Sequence, residues 1–365
     1  MYEIAYQEKS IMENEWQITL SYKMDLACFC NLLTKAEPVL ERHREGYDAF
    51  CSIIEDRPDL LSFAASQLQQ GLMIGTATAT ILGLSDYNGG DINKICQLFD
   101  DDSHHPLITS FLHEIGFSGD VSHILQAILP AMSDMLRYFH AQGFHDYWLK
   151  TCMPAIQEKV VSFQQAAIHY PVVSRVNQLL GFRSVNSPQV TLFLCSFSSP
   201  YGIGLKNAFI SDIRWCFEDT VAIAVHELIH PPFDRAVIRQ MAQSIWEDDF
   251  FQEAKSRLPL SSGYYLPEEF LEENLVEGTH LYLSEQLGVD KDSLRYLLTH
   301  DFGSHVISVI LYDALKKGYR EQTRTLQETV ERLIQEGVLM PGQIRKNYKA
   351  IYQRAGLADQ VPFQD

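Results

Sequence analysis

The chain has 365 residues, 46% of them hydrophobic, enough for one large or two ordinary domains with a substantial core. Its net charge of −18 and pI of about 5.1 argue against sequence-independent nucleic-acid binding and against anionic membrane surfaces, both of which need a basic face. The acidic residues are spread along the chain, as on a solvated surface. The seven cysteines are an odd number, scattered and without a C-x-x-C pair, so reduced thiols and a cytoplasmic location are expected. Met1-Tyr2-Glu3-Ile4 is not the start of a basic run followed by an apolar one, and no secretory signal is expected.

The first predicted elements are two strands, residues 2–6 and 16–22, forming a short hairpin around a polar turn. Residues 25–180 then read as mostly helical, with apolar residues at helical spacing over 25–54 and 121–142 and a kink expected at Pro130. Residues 60–85 contain no charge, but Gln67, Gln69 and Gln70 sit together and Gly71, Gly75 and Gly83 interrupt the apolar run. The expectation is a buried helical hairpin rather than a membrane span. His104-His105 and His113-Glu114 lack ligand spacing and are read as ordinary surface or core residues.

The pattern changes near residues 181–188. Residues 189–195 (Gln-Val-Thr-Leu-Phe-Leu-Cys) form a strand candidate, followed by a glycine-containing loop, Tyr201-Gly202-Ile203-Gly204. Asn207-Ala208-Phe209-Ile210 is a second strand, a candidate edge for pairing with an extended peptide. The next segment carries the strongest signal in the chain, His226-Glu227-Leu228-Ile229-His230, preceded by the apolar run Val221-Ala222-Ile223-Ala224-Val225. On a helix, positions i and i+4 share a face, so two imidazoles can converge on one ion while Glu227 reaches a water bound there. Glu218 or Asp219 is the expected N-cap, and Pro231-Pro232 should end or kink the helix just past His230. Further helices are expected over residues 233–258, 267–287, 305–317, 322–335 and 341–355.

Two histidines do not complete a hydrolytic zinc site, which needs a third protein ligand. The metzincin pattern fails, because its later positions hold Phe233 and Ala236, and nothing around Asp234 supports a ligand role. The better candidate lies in the 267–287 helix, where Glu273, Glu277 and His280 form one polar ridge within an arc of about 60°.

This constellation resembles the gluzincins, the thermolysin-like zinc metallopeptidases. In them a second helix supplies a glutamate ligand, and a carboxylate one turn later orients the first histidine. The resemblance implies that Glu273 is the third ligand and Glu277 the partner of His226. Glu277-Gly278 also resembles the glutamate–glycine pair of gluzincin aminopeptidases, in which that glutamate is the ligand, so Glu277 stays open as the alternative, with Glu272 third. His226-Glu227-x-x-His230-Pro231 with Glu273-Asn274-Leu275-Val276 is similar, more closely, to an uncharacterised bacterial family of zincin-like domains, over roughly residues 189–320. The segment between His230 and Glu273 is longer than in thermolysin and must fold back. A downstream histidine or tyrosine stabilises the oxyanion in thermolysin-like enzymes, which brings forward His305 and Tyr265, with Tyr264 and His300 as neighbours.

The expected protein is therefore α+β and predominantly α-helical. A helical region over residues 1–183, opening on the short hairpin, precedes a zincin-like catalytic region over 184–365 with a small sheet, and the two are continuous if no linker separates them. The expected activity is a zinc-dependent metallopeptidase with one Zn²⁺ on His226, His230 and Glu273, Glu227 as general base, and a peptide or protein substrate. No nucleic-acid or membrane partner is expected. Mn²⁺ or Co²⁺ suits the same donors. Two other readings stay open: a regulatory binding protein on a zincin scaffold, and a non-peptide amidohydrolase using the same water activation.

Overall fold

The structure is a computed structural model that describes residues 15–114, 120–182, 188–198, 200, 202–205, 208–258, 266–289 and 292–363. It is predominantly helical with one small mixed sheet, the α+β class expected. The sheet has four strands, β1 (Trp16–Leu20), β2 (Val190–Cys195), β3 (Ile203–Leu205) and β4 (Ala208–Asp212), in the order β1-β2-β4-β3. β1 and β2 are parallel, with Trp16 opposite Val190, and β2 and β4 are parallel, while β3 returns antiparallel to β4.

Parallel neighbours need a long crossover. Between β1 and β2 that crossover is the whole helical region, so the expected boundary at 183/184 cuts through one sheet. The strand at residues 16–20 therefore has β2 as a partner. The other half of the predicted hairpin, residues 2–6, lies outside the described residues. Two details of the expected strands change. Asn207 lies outside the described residues, and the strand that follows it, β4, is internal. The edge on that side is β3, formed by part of the segment expected to be loop, and β1 is the other edge among the described residues.

The helix Tyr22–Phe29 is buried at every position beneath the sheet. Its Phe29 joins Phe50, Phe139, Phe144 and Phe197 in an aromatic cluster with ring centroids 4.5–5.2 Å from Phe29. Burying these rings helps to hold the crossover to the sheet. Residues 60–85 form the expected hairpin from helices Pro58–Gln69 and Ile74–Leu82, turning at Gly71 (φ 80). Among the described residues no helix is long and apolar enough to cross a membrane. Over residues 121–142 the expected kink takes the form of a π turn, Ile124–Ile128, immediately before Leu129–Phe139. Pro130 lacks an N–H to continue the regular ladder there. All seven cysteines are free.

In the second half, Phe217–Ile229 packs against Pro267–Gln286, which packs in turn against Val306–Lys316. The expected helix over 233–258 is two, Arg235–Ile245 and Asp249–Ser256. Asp248 ends the first by capping the second, accepting from Phe251 N at 2.9 Å. An unexpected helix, Ser293–Thr299, follows the long Pro267–Gln286 helix.

Candidate metal centre

The histidine helix, Phe217–Ile229, starts where Cys216 Sγ accepts from Asp219 N at 3.4 Å. Cys216 is thus the N-cap, and Glu218 and Asp219, the expected caps, occupy the first turn, where acidic side chains favour the helix dipole. Val221, Ala224, Val225, Leu228 and Ile229 are buried and fix the helix against the sheet and the glutamate helix. The helix stops one residue earlier than expected. His230 is already extended (φ −74, ψ 130), because the proline ring of Pro231 disfavours helical backbone in the residue before it. Asp234 caps the next helix, accepting from Ala236 N at 2.8 Å, and is no ligand.

The glutamate helix, Pro267–Gln286, begins with Pro267 and with Leu266 N donating to Glu269 Oε2 at 2.8 Å. Its middle is buried nearly all round, from Phe270 and Leu271 through Asn274–Leu281. Asn274 locks it to the Val306–Lys316 helix, with Oδ1 accepting from Ile307 N at 3.0 Å and its carbonyl accepting from Ser308 Oγ at 2.7 Å. Gly278 allows the two helices this close approach. A Cβ there would lie 2.7 Å from Ser308 O and 2.9 Å from Ser308 Cα. The Glu-Gly pair of the sequence thus has a packing reason.

Glu273 meets both histidines. His226 Nε2 lies 3.4 Å from Glu273 Oε1, His230 Nε2 lies 3.5 Å from Glu273 Oε2, and the two Nε2 atoms are 3.1 Å apart. Ligands about 2.1 Å from a tetrahedral zinc are separated by about 3.4 Å, close to the spacing between the two Nε2 atoms and between each of them and the nearer Glu273 oxygen, and one ligand atom from each of the three residues lies within 4.8 Å of the others. The tautomers point the same way. His226 Nδ1 pairs with Glu277 Oε2 at 3.1 Å and His230 Nδ1 with Glu272 Oε1 at 3.2 Å. With both Nδ1–H groups donating, two Nε2 lone pairs face each other across 3.1 Å and call for a cation between them. Without an ion, a proton answers that demand. Burial alone lowers the pKa of His226, but the carboxylates of Glu273, Glu277 and Glu227 overcome it and push it up to about 10.

Glu277, fully buried, is the partner of His226 and also accepts from His280 Nδ1 at 3.3 Å. Burial raises its pKa, but His280 and His226 hold the carboxyl well below the usual range. The structure therefore brings Glu273 to the two Nε2 atoms and puts Glu277 behind His226. Glu272, third as a candidate ligand, pairs with His230 Nδ1 instead and also lies 3.9 Å from Arg235.

These groups open on a cleft of about 780 Å³ lined by His226, Glu227, Glu273, Glu277 and His280 on one side, and by Gly202, Trp215, Ile223, Tyr296, His300 and Asp301 around them. Glu227 lies against the edge strand; a Cβ on Gly204 would sit 2.1 Å from its Oε2. Of the two expected oxyanion donors, Tyr265 lies outside the described residues, as does Tyr264. His305 is fully buried, its Nε2 directed at Asp301 Oδ2 3.0 Å away, and it does not line the cleft. Sequence reasoning missed Tyr296, which lines the cleft and stacks on His300 at 4.5 Å. Burial first, then the Glu277 and Asp301 carboxylates, raise its pKa, so the phenol keeps its proton.

The chain matches no family model, no curated protein and no solved structure.

Proposed function

We propose that this protein is a zinc-dependent metallopeptidase of the gluzincin type, with His226, His230 and Glu273 as the metal ligands. The observation that carries the reading is the convergence of His226, His230 and Glu273, with the two Nε2 atoms 3.1 Å apart, one Glu273 oxygen 3.4 Å from His226 Nε2 and the other 3.5 Å from His230 Nε2, each imidazole backed by its own carboxylate, and Glu227 lining the cleft beside them. A purely structural zinc closes its fourth position with a protein ligand and needs no adjacent base. Here His226 and Glu273 face a cleft, which favours hydrolysis over a binding role.

When bound, the metal lowers the pKa of a water and polarises a carbonyl. Glu227, held against Gly204, takes a proton from a water in the cleft and passes it to the leaving amine. Glu277 and Glu272 keep His226 and His230 oriented, each accepting from Nδ1. Tyr296, which carries the only hydroxyl among the described residues lining the cleft, donates to the developing oxyanion. β3, the edge strand beside Glu227, offers its free backbone edge to an extended segment, which favours peptides over small amides.

The test is Glu227→Gln. The variant is expected to retain zinc by elemental analysis and to lose hydrolysis of a diverse quenched-fluorescent peptide library by at least about a hundredfold, the range for a positioned general base. Undiminished hydrolysis in a contaminant-free Glu227→Gln preparation, or a zinc-loaded parent that cleaves no peptide of the library, overturns the reading.

A further inference from the structure

A second group of ligating side chains stands on the cleft wall, apart from His226, His230 and Glu273. Asp301 Oδ2 lies 3.0 Å from His305 Nε2 and 3.9 Å from His300 Nε2, and the ligand atoms of all three residues lie within 4.8 Å of one another. The two measured separations bracket the spacing of about 3.4 Å that a tetrahedral zinc imposes on its ligands. We propose that His300, Asp301 and His305 bind a second divalent cation of the zinc class.

The backbone supports this placement at a cost. Asp301 (φ 44, ψ 45) and Phe302 (φ 59, ψ 24) are both left-handed, and Gly303 (φ 70) continues the turn. Consecutive non-glycine residues rarely adopt this conformation, because Cβ crowds the following carbonyl. Gly303 itself cannot be larger: a Cβ would lie 2.5 Å from Pro362 Cγ and 2.8 Å from Leu298 O. Nothing apolar is gained in exchange, since Phe302 is 60% exposed. What the turn achieves is to bring Asp301 back toward both imidazoles. Strain of this kind concentrates where geometry serves a site.

The donors are also held in place. Tyr296 stacks on the His300 ring at 4.5 Å, and His305 is fully buried with Phe270 nearby. The side chains of His300 and Asp301 are about one-third exposed and line the cleft, which gives an ion a way in. A packing role explains the His305–Asp301 hydrogen bond alone. It leaves unexplained why His300 faces the same carboxylate oxygen and why the turn is left-handed. The N₂O donor set suits Zn²⁺ or Co²⁺ better than Mg²⁺ or Ca²⁺, which prefer all-oxygen surroundings.

The test reads metal alone, so it does not depend on the peptidase assignment. Chelator-stripped full-length protein is titrated with Zn²⁺ against a competing chromophoric chelator. Two ions per chain are expected for the parent. One is expected for Asp301→Asn, chosen because asparagine tolerates left-handed backbone, and one for the double variant His226→Ala, His230→Ala. A His226→Ala, His230→Ala protein that takes up no ion, or an Asp301→Asn protein that takes up as many ions as the parent, overturns the proposal. Should Asp301→Asn fail to fold, anomalous diffraction at the zinc edge on zinc-saturated parent crystals decides: a peak between the three side chains sustains the site, and its absence overturns it. Loss of the first site alone leaves the double variant's single ion in place, so the two assignments fail separately.

Discussion

Replacing Gly204 with alanine is expected to slow hydrolysis about a hundredfold without releasing the metal. The added Cβ would lie 2.1 Å from Glu227 Oε2 and 3.1 Å from its Cδ. Ordinary contact begins near 3.4 Å, so the carboxylate tip must move by about 1.3 Å. The atom in the way is the far end of a flexible side chain, so the fold yields cheaply and the base does not keep its position. A misplacement of about 1 Å can cost on the order of a hundredfold in rate, or about 2.7 kcal/mol in the barrier. The loss should fall on kcat, with KM, zinc content and melting temperature near those of the parent, measured with quenched-fluorescent peptides, elemental analysis and thermal unfolding. On a Glu227→Gln background the same substitution should add nothing, because the base it displaces is already gone. Three results would refute the argument: parental activity in Gly204→Ala, loss of zinc from it, or a multiplicative further loss in the double variant.

Glu277→Gln should weaken zinc binding by about 10- to 100-fold, the usual effect of removing a carboxylate behind a ligating imidazole, as read by chelator competition. Gly278→Ala should destabilise the protein by about 1–3 kcal/mol in urea unfolding, because the groups it meets are Ser308 backbone atoms that cannot swing aside. Metal-free His226, pushed up to about 10, holds a proton that zinc must displace. Zinc uptake at neutral pH should therefore release about one proton, and apparent affinity should climb about tenfold per pH unit until pH nears 10, which calorimetry in buffers of different ionisation enthalpy can measure. The same raised pKa stabilises the metal-free fold fully below pH 6.5, and that contribution is lost as pH rises through about 10, so the stripped protein should melt progressively lower over that range.

Where the sequence was informative, a short-range rule carried it. The i, i+4 spacing brings His226 and His230 together, and the 100° step of a helix gathers Glu273, Glu277 and His280 on one ridge, which is where the structure has them. Glu272 was named only as a third candidate ligand, and its place beside His230 was not read because it lies off that ridge. The signal was present: a ligating histidine wants an acceptor on its other nitrogen. The sheet was less legible, because β1 finds β2 only across the whole helical crossover and no local pattern encodes that pairing. Asp301 tolerates left-handed backbone but Phe302 does not favour it, so the turn that brings Asp301 back toward His300 and His305 is not encoded by a local pattern.

The glutamate helix argues for a site on energetic grounds as well. It is buried through its middle, yet Glu272, Glu273 and Glu277 have side chains only 12%, 12% and 2% exposed. Buried carboxylates are costly even when paired, and apolar residues of similar volume would stabilise the same interface better. In a chain of net charge −18, acidic residues have ample surface elsewhere. These three instead oppose His226, His230 and His280, side chains that would be largely neutral at pH 7 in water. The metal-free arrangement is therefore short of positive charge and borrows a proton at His226. A dication held by His226, His230 and Glu273 would supply that charge, with His226 neutral and Glu277 and Glu272 as acceptors for the two Nδ1–H groups. A packing interface has no use for that shortage, whereas a metal centre requires it.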